Sequence, residues 1–323
     1  MSSYIQVLEK LADGQFHSGE ALAKSLGVSR AAIWKSLQKI KNIGLDVYAV
    51  RGRGYCLQDK LDLLDVDSIM NALHEETRAQ IPNLHCYQQI DSTNRQLQKD
   101  NCLSGSVCLA ESQSQGRGRR GRQWVSPFAS SIYLSITWTY PQGPAVLSAL
   151  SLALGIAVIR GLAAYAQDDL GLKWPNDIYW QDKKLGGVLV EVSGEANGPC
   201  TVVVGIGVNV RMPAQMGTQI DQPWTDLYRI NPDGLASRNI IAAGLIDEVV
   251  KVLKDYPHKG FVSYQQEWMQ WDIVKDRSVC LSSPAQEIAG VVRGVDDAGS
   301  LLLETANGIE VIQSGEISLR VKQ

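Results

Sequence analysis

At 323 residues the chain exceeds what one compact core usually holds, and its 45% hydrophobic and 20% charged content excludes a largely disordered protein and predicts two or three globular domains. The net charge of −3 conceals an asymmetry: residues 1–60 carry nine Lys and Arg against five Asp and Glu, the remainder 22 against 29. The N-terminal part is thus the one suited to a polyanion. Six scattered cysteines form no CxxC pair, and the opening MSSYIQVLEKLADG has no basic patch followed by an apolar run. Reduced thiols in a soluble, cytoplasmic protein are expected.

In chain order, Tyr4, Ile5, Leu8 and Leu11 make one apolar helical face that ends at Gly14. Ser18 is placed to cap a second helix, packed through Leu22, Ala23 and Leu26 and stopped by Gly27. Ser29 begins a third, with Ile33, Leu37 and Ile40 as its buried stripe and Gly44 at its end. DVYAV, RGRG and YCL then read as strand, turn and strand. Residues 1–60 are therefore expected to form a winged helix-turn-helix. Arg30, Trp34, Gln38 and Lys41 oppose the apolar stripe and would face a major groove, while Arg51 and Arg53 on the wing would touch phosphates. Ser29 and Lys35 complete the expected DNA-binding set. Two alternatives stay open: such domains also serve in dimerisation or docking, and Trp34 either stacks on DNA or packs against the wing.

Residues 61–66 form a short connection to an α/β region, residues 67–271. Strands LHCYQQI, SVCLAES, SIYLSITW and TVVVGIGVNV alternate there with helical patterns at 145–166 and 238–254. The apolar stretch Val146–Ala166 is broken by Ser148 and Ser151 and contains Arg160, so it reads as a buried helix rather than a membrane span. From 272 to 323 the strands RSVCLS, AGVVRGV, SLLLET, IEVIQ and EISLR, separated by Gly-containing turns, predict a small SH3-like β-barrel. The class is α/β (α+β) with three units.

The most distinctive segment is Gly116–Arg122, GRGRRGR. It matches the GxGxxG spacing of a dinucleotide fingerprint, but QWVSPFASSIYLS follows, so no helix N-terminus awaits a pyrophosphate. Arg117, Arg119, Arg120 and Arg122 sit on a glycine backbone, and no Asp or Glu occurs from Ser112 to Gln167. The loop is therefore expected to stay open until an anion arrives. Each arginine–phosphate contact at ~4 Å is worth on the order of 4 kcal/mol before desolvation and ordering costs. A solvated basic loop or a nucleic-acid patch is the alternative. Upstream, Asp91-Ser92-Thr93-Asn94 joins a strand to a helix, its hydroxyls serving either as N-cap or toward a polar ligand. Downstream, Lys173-Trp174-Pro175-Asn176-Asp177 and Lys184-Leu185-Gly186-Gly187-Val188-Leu189-Val190-Glu191 form a hairpin. Its carboxylate, amide and lysine would converge on a magnesium-bound triphosphate or, alternatively, make a structural Lys–Asp pair. Walker, nucleophile-elbow and HExxH motifs are absent. The chemistry expected is positioning and charge neutralisation.

These motifs, with GIGVNV and a terminal GEISLR, resemble in content and order the bacterial biotin–protein ligases, specifically the bifunctional group that also represses the biotin operon. The resemblance spans the chain and implies a mixed-sheet biotin/lipoate-ligase catalytic domain. It implies that biotin and ATP with Mg2+ form biotinyl-5′-AMP, and that a lysine of the biotin carboxyl carrier protein then accepts biotin. The adenylate would also be corepressor, driving a homodimer onto operator DNA. By the same resemblance Ser92, Thr93, Asn94 and Gln113 line the biotin pocket. Arg117, Gly118 and Arg119 cover carboxylate and phosphate, and Lys184 holds their junction. Arg120, Trp124, Asn176, Asp177, Asn209 and Arg320 lie on the nucleotide side. Lys184, Arg119 and Asp177 are the expected catalytic set, with Asp177 on the magnesium side; neither the residues nor the resemblance names a base for the acceptor lysine, and Asp177 is the group taken for it. A non-enzymatic winged-helix sensor, a lipoate or other acyl ligase, and a ligase whose winged helix no longer reads DNA remain as alternatives.

Overall fold

The computed structural model describes residues 3–99, 102–166, 169–195, 197–282, 287–313 and 318–321. Helices α1 (Ser3–Leu11), α2 (Gly19–Leu26) and α3 (Arg30–Asn42) precede a hairpin of β1 (Val47–Val50) and β2 (Gly54–Leu57). The local chemistry explains the breaks. The Ser18 and Ser29 hydroxyls accept from Ala21 N and Ala32 N, and Gly27 ends α2 at φ 65°. Val7, Leu8 and Leu11 pack on Ile33, Leu37 and Ile40, and Phe128, far along the chain, joins the same core.

The connection is pinned from below. Leu64 N donates to Glu111 Oε1 at 2.6 Å. Arg238 pairs with Glu111 Oε2 at 2.7 Å and donates to the carbonyls of Asp62 and Ser131. Both partners are buried, and their remaining donors and acceptors are taken by backbone, which makes such burial tolerable.

The central unit comprises α4 (Val66–Ala72), α5 (Glu75–Arg78), β3 (Leu84–Tyr87), α6 (Thr93–Lys99), β4 (Val107–Ala110), β5 (Ser131–Tyr140) and α7 (Leu150–Ala166). It continues with β6 (Leu170–Lys173), β7 (Asp177–Trp180), β8 (Lys183–Gly194), β9 (Cys200–Asn209), α8 (Ala214–Gly217), α9 (Leu227–Ile230), α10 (Arg238–Lys259) and α11 (Val262–Trp271). Its strands form one seven-stranded sheet in the order β3-β4-β5-β9-β8-β7-β6, parallel only between β3 and β4. Helices α7 and α10 cover one face, and α7, apolar nearly all round, is buried as expected of it. It starts at Leu150, after a 3-10 turn at Pro144–Leu147, later than its apolar pattern begins. Helix α10 runs on past residue 254 to Lys259. Among the described residues no helix is long and apolar enough to cross a membrane. Among the described residues no disulfide is formed, and burial pushes the thiols of Cys86 and Cys108 up to about 12, which disfavours their thiolates.

Strands β10 (Ser278–Ser282), β11 (Glu287–Val295), β12 (Leu301–Thr305), β13 (Gly308–Ile312) and β14 (Ser318–Val321) form an antiparallel sheet in the order β13-β12-β11-β10-β14. A closed barrel was expected; among the described residues β13 and β14 do not pair, so the sheet is open. A register shift between Val292 and Gly294 bends β11, which curves the sheet without joining its edges. Residues 314–317, within and before GEISLR, lie outside the described residues. Ile273 N donates to Leu172 O, which seats this unit beside β6.

Candidate functional site

The sheet face away from α7 and α10 carries the site. Side chains alternate along a strand, so Gly187, Leu189 and Glu191 of β8 share a face with Gly207, Gly205 and Val203, their partners on β9. Two of these positions must be glycine. A Cβ at Gly207 would lie 2.6 Å from the Trp124 ring, and one at Gly205 would lie 2.3 Å from Asn94 Oδ1. Bare backbone thus makes room for side chains from elsewhere, and the result is a cleft of about 930 Å³.

Every residue expected on the biotin, nucleotide or catalytic side lines this one cleft: Ser92, Thr93, Asn94, Gln113, Arg117, Gly118, Arg119, Arg120, Trp124, Asn176, Asp177, Lys184, Asn209 and Arg320. Ser92, Thr93 and Asn94 are buried at the start of α6. The Asn94 amide is committed, its Oδ1 accepting from Ser135 Oγ at 2.6 Å and its Nδ2 donating to Glu191 Oε2 at 2.8 Å. Thr93 N donates to Gln113 Oε1 at 2.9 Å. On the hairpin, Lys184 Nζ lies 2.8 Å from Asp177 Oδ1, with side-chain exposures of 15% and 22%. It also stands 5.5 Å from the centre of the Trp124 ring. The Asn176 amide donates to Val188 O at 2.7 Å, and Asn209 donates to Thr225 O at 3.0 Å, fixing the loop after β9. Arg320, on β14, is exposed at the cleft's C-terminal side.

The basic loop is folded. Gly118 N donates to Arg122 O, Trp124 N to Gly116 O, and residues 119–121 make a 3-10 turn. The Arg117 guanidinium reaches Glu191 Oε1 at 2.9 Å, and Arg119 Nη1 reaches Asn176 Oδ1 at 3.4 Å. The counter-charge that no neighbour in sequence supplies comes from β8. Burial draws the Arg119 guanidinium below its ordinary value, with Asp177 opposing and Arg120 and Arg122 reinforcing.

Several residues in or beside the cleft carried no assigned role in the sequence reading. Glu191 ends the quoted KLGGVLVE, and its even spacing from Gly187 and Leu189 was the signal that could have placed it on the cleft face. Lys173 opens KWPND; burial holds its ammonium below the usual lysine value, with Asp177 opposing, and Nζ sits 3.3 Å from the Tyr179 hydroxyl. The segment 219–224 closes the side next to Lys184, whose N–H donates to Pro223 O. It bears no motif, so only the fold reveals it. On the winged helix, Trp34 is 58% exposed, Arg30, Lys35 and Arg51 project into solvent, Gln38 is half-buried, and Ser29 is the helix cap. Arg53 lies over the Phe16 ring at 4.1 Å.

Residues 5–56 match a helix-turn-helix domain, residues 86–209 the biotin/lipoate A/B protein ligase family and residues 276–320 the biotin protein ligase C-terminal domain. The bifunctional ligase/repressor BirA of Salmonella typhimurium is 41% identical over 98% of this chain and 97% of its own; that of Bacillus subtilis is 30% identical over 95% of each. Among solved structures, the biotin protein ligase from Aquifex aeolicus in complex with biotin and ATP aligns with a TM-score of 0.64 at 30% identity, covering 75% of this chain and all of that one. A glycine-floored cleft under a basic loop, flanked by a winged helix and a small C-terminal sheet, is thus joined to near full-length similarity: the chain belongs to the bifunctional ligase/repressor branch of the biotin protein ligase family.

Proposed function

We propose that this protein is a biotin–protein ligase that also represses transcription. The observation that carries the reading is the convergence of the folded basic loop, the Lys184–Asp177 pair and the Trp124 ring on one glycine-floored cleft. Ser92, Thr93, Asn94 and Gln113 bound the end that takes biotin. Trp124, Arg120, Asn176, Asp177, Asn209 and Arg320 bound the end that takes ATP. In the first step a biotin carboxylate oxygen attacks the α-phosphorus and pyrophosphate leaves, giving biotinyl-5′-AMP. Lys184 and Arg119 offset the negative charge that gathers where carboxylate and phosphate meet, an electrostatic role. Arg117 and Gly118 cover the junction. In the second step a lysine amine of the biotin carboxyl carrier protein attacks the acyl carbon and AMP leaves. A free lysine has a pKa of about 10.4, so its proton needs an acceptor, and Asp177 is the group assigned.

Among the described residues no three His, Cys, Asp or Glu side chains gather at one point. Magnesium would enter with ATP as substrate, Asp177 being the residue that would hold it, and would supply charge neutralisation on the phosphates.

The winged helix is the DNA-binding part, with Arg30, Trp34, Lys35 and Gln38 toward the bases and Ser29, Arg51 and Arg53 toward the backbone. The bound adenylate acts as corepressor by favouring a homodimer that presents two winged helices to operator DNA. The protein works in the cytoplasm, where the carrier and operator are. Pyrophosphate release on mixing with ATP tests the ligase reading: biotin supports it and lipoate does not. A non-enzymatic sensor would bind biotin and release none.

A further inference from the structure

Glu191 stands where three parts of the molecule meet. It follows Gly187 and Leu189 on the cleft face of β8, directly across from Val203. The neighbouring Gly205 leaves space that Asn94 fills, which brings the start of α6 within reach. One carboxylate oxygen, Oε2, accepts from Asn94 Nδ2 at 2.8 Å, and the other, Oε1, meets Arg117 Nη2 at 2.9 Å. Floor and lid are thus held by opposite edges of one carboxylate. The far end of the lid returns to the same helix start. Thr93 N donates to Gln113 Oε1, Gln113 Nε2 to Ser126 Oγ at 3.1 Å, and Ser126 Oγ to Trp124 O at 2.9 Å.

We infer that Glu191 is a positioning residue that latches the lid to the floor of the biotin pocket, so that closure over the intermediate depends on how the pocket holds Asn94. Neither contact alone suffices for this role. A carboxylate bonded only to Asn94 would shape the floor, and one bonded only to Arg117 would be a half-exposed ion pair of small value. Bonded to both, it makes the two segments move together. The inference rests on the reading of the cleft as an acyl-adenylate site.

The test is a double-mutant cycle on the full-length chain, with Glu191→Gln, Arg117→Gln and the double variant. The glutamine is close in size but sets one oxygen and one donor NH2 where the carboxylate has two oxygens, so one of the two donors loses its acceptor. Two quantities are measured: the dissociation rate of synthetic biotinyl-5′-adenylate and the Kd of biotin alone. E191Q is expected to speed adenylate release on the order of tenfold, equivalent to about 1.4 kcal/mol, and to weaken biotin much less. The double variant is expected to release no faster than the worse single one, because the two residues act as a unit. Additive effects, or equal losses for biotin and adenylate, would mean a merely structural side chain and overturn the latch. Slow release from the wild type that E191Q leaves unchanged would also overturn it. If the wild type does not retain adenylate at all, the acyl-adenylate reading fails and the latch with it.

Discussion

Lys184 Nζ lies 2.8 Å from Asp177 Oδ1 across a hairpin whose strands are joined by only a two-residue turn. The same ammonium stands over the edge of the cleft beside Trp124, so the pair both stiffens the hairpin and points a cation at the cleft. Lys184→Ala is expected to lower the rate of biotin-dependent pyrophosphate release by about 10²–10³, the usual loss of one donor aimed at developing charge. Biotin affinity should change far less. Rapid-mix pyrophosphate assays beside calorimetric biotin titrations check this; equal losses in both would make Lys184 an anchor only.

Arg119 reaches from the lid to Asn176 and is half-buried. Replacing it with glycine removes a charged donor worth about 1.5–3 kcal/mol where it meets its partner, or roughly ten- to a hundredfold. Arg119→Gly should let adenylate escape at that order of increase, read as faster release of labelled adenylate and biotin on bystander proteins. Wild-type retention in this variant would remove Arg119 from the lid's function.

Asp272, where the chain leaves the central unit for the C-terminal sheet, has an Oδ2 without a hydrogen-bond partner among the described residues. Burial raises its pKa from 3.8 to about 6, with the Val274 and Lys275 amides opposing. The fold thus holds this proton more tightly than the unfolded chain does. Its stabilising contribution is complete below pH about 4 and is lost as pH rises through about 6. Asp272→Asn keeps the acceptor oxygen and removes the buried charge. The variant should gain on the wild type by on the order of 2 kcal/mol between pH 4 and 7.5, measured by denaturant melts at both. A pH-independent difference would contradict this.

Arg51 and Arg53 share the wing turn and are both exposed, and Arg53 also lies over the Phe16 ring. Arg51→Ala should weaken DNA binding similarly for all sequences and reduce the slope of log K against log salt by about one. Arg53→Ala should do the same and also lower the melting temperature of the winged helix. An unchanged salt slope for Arg51→Ala would take the wing off the phosphates.

How much of this was legible in sequence depends on how local the cause is. Ser18, Gly27 and Ser29 announced their helices because capping acts within three residues. The glycines at 186 and 187 and the charges of 117–122 announced a ligand cleft for the same reason. The state of the lid was not legible: its counter-ion, Glu191, is 74 positions beyond Arg117 and adjacent only because β8 runs beneath the loop. Nor was the role of Asn94 inside the floor, since a Cβ-free Gly205 on a distant strand creates its seat. That β13 and β14 do not pair among the described residues escaped for a third reason, that alternation specifies strands and faces but not which strands become the sheet's edges.

A tightly bound acyl-adenylate in the cleft is directly measurable. Full-length protein is mixed with biotin and MgATP without acceptor, freed of unbound ligand, and its bound material weighed by mass spectrometry while pyrophosphate is counted. The expected result is biotinyl-5′-AMP at about one per chain with a matching amount of pyrophosphate. Intact biotin and ATP recovered side by side, with no pyrophosphate, would contradict it.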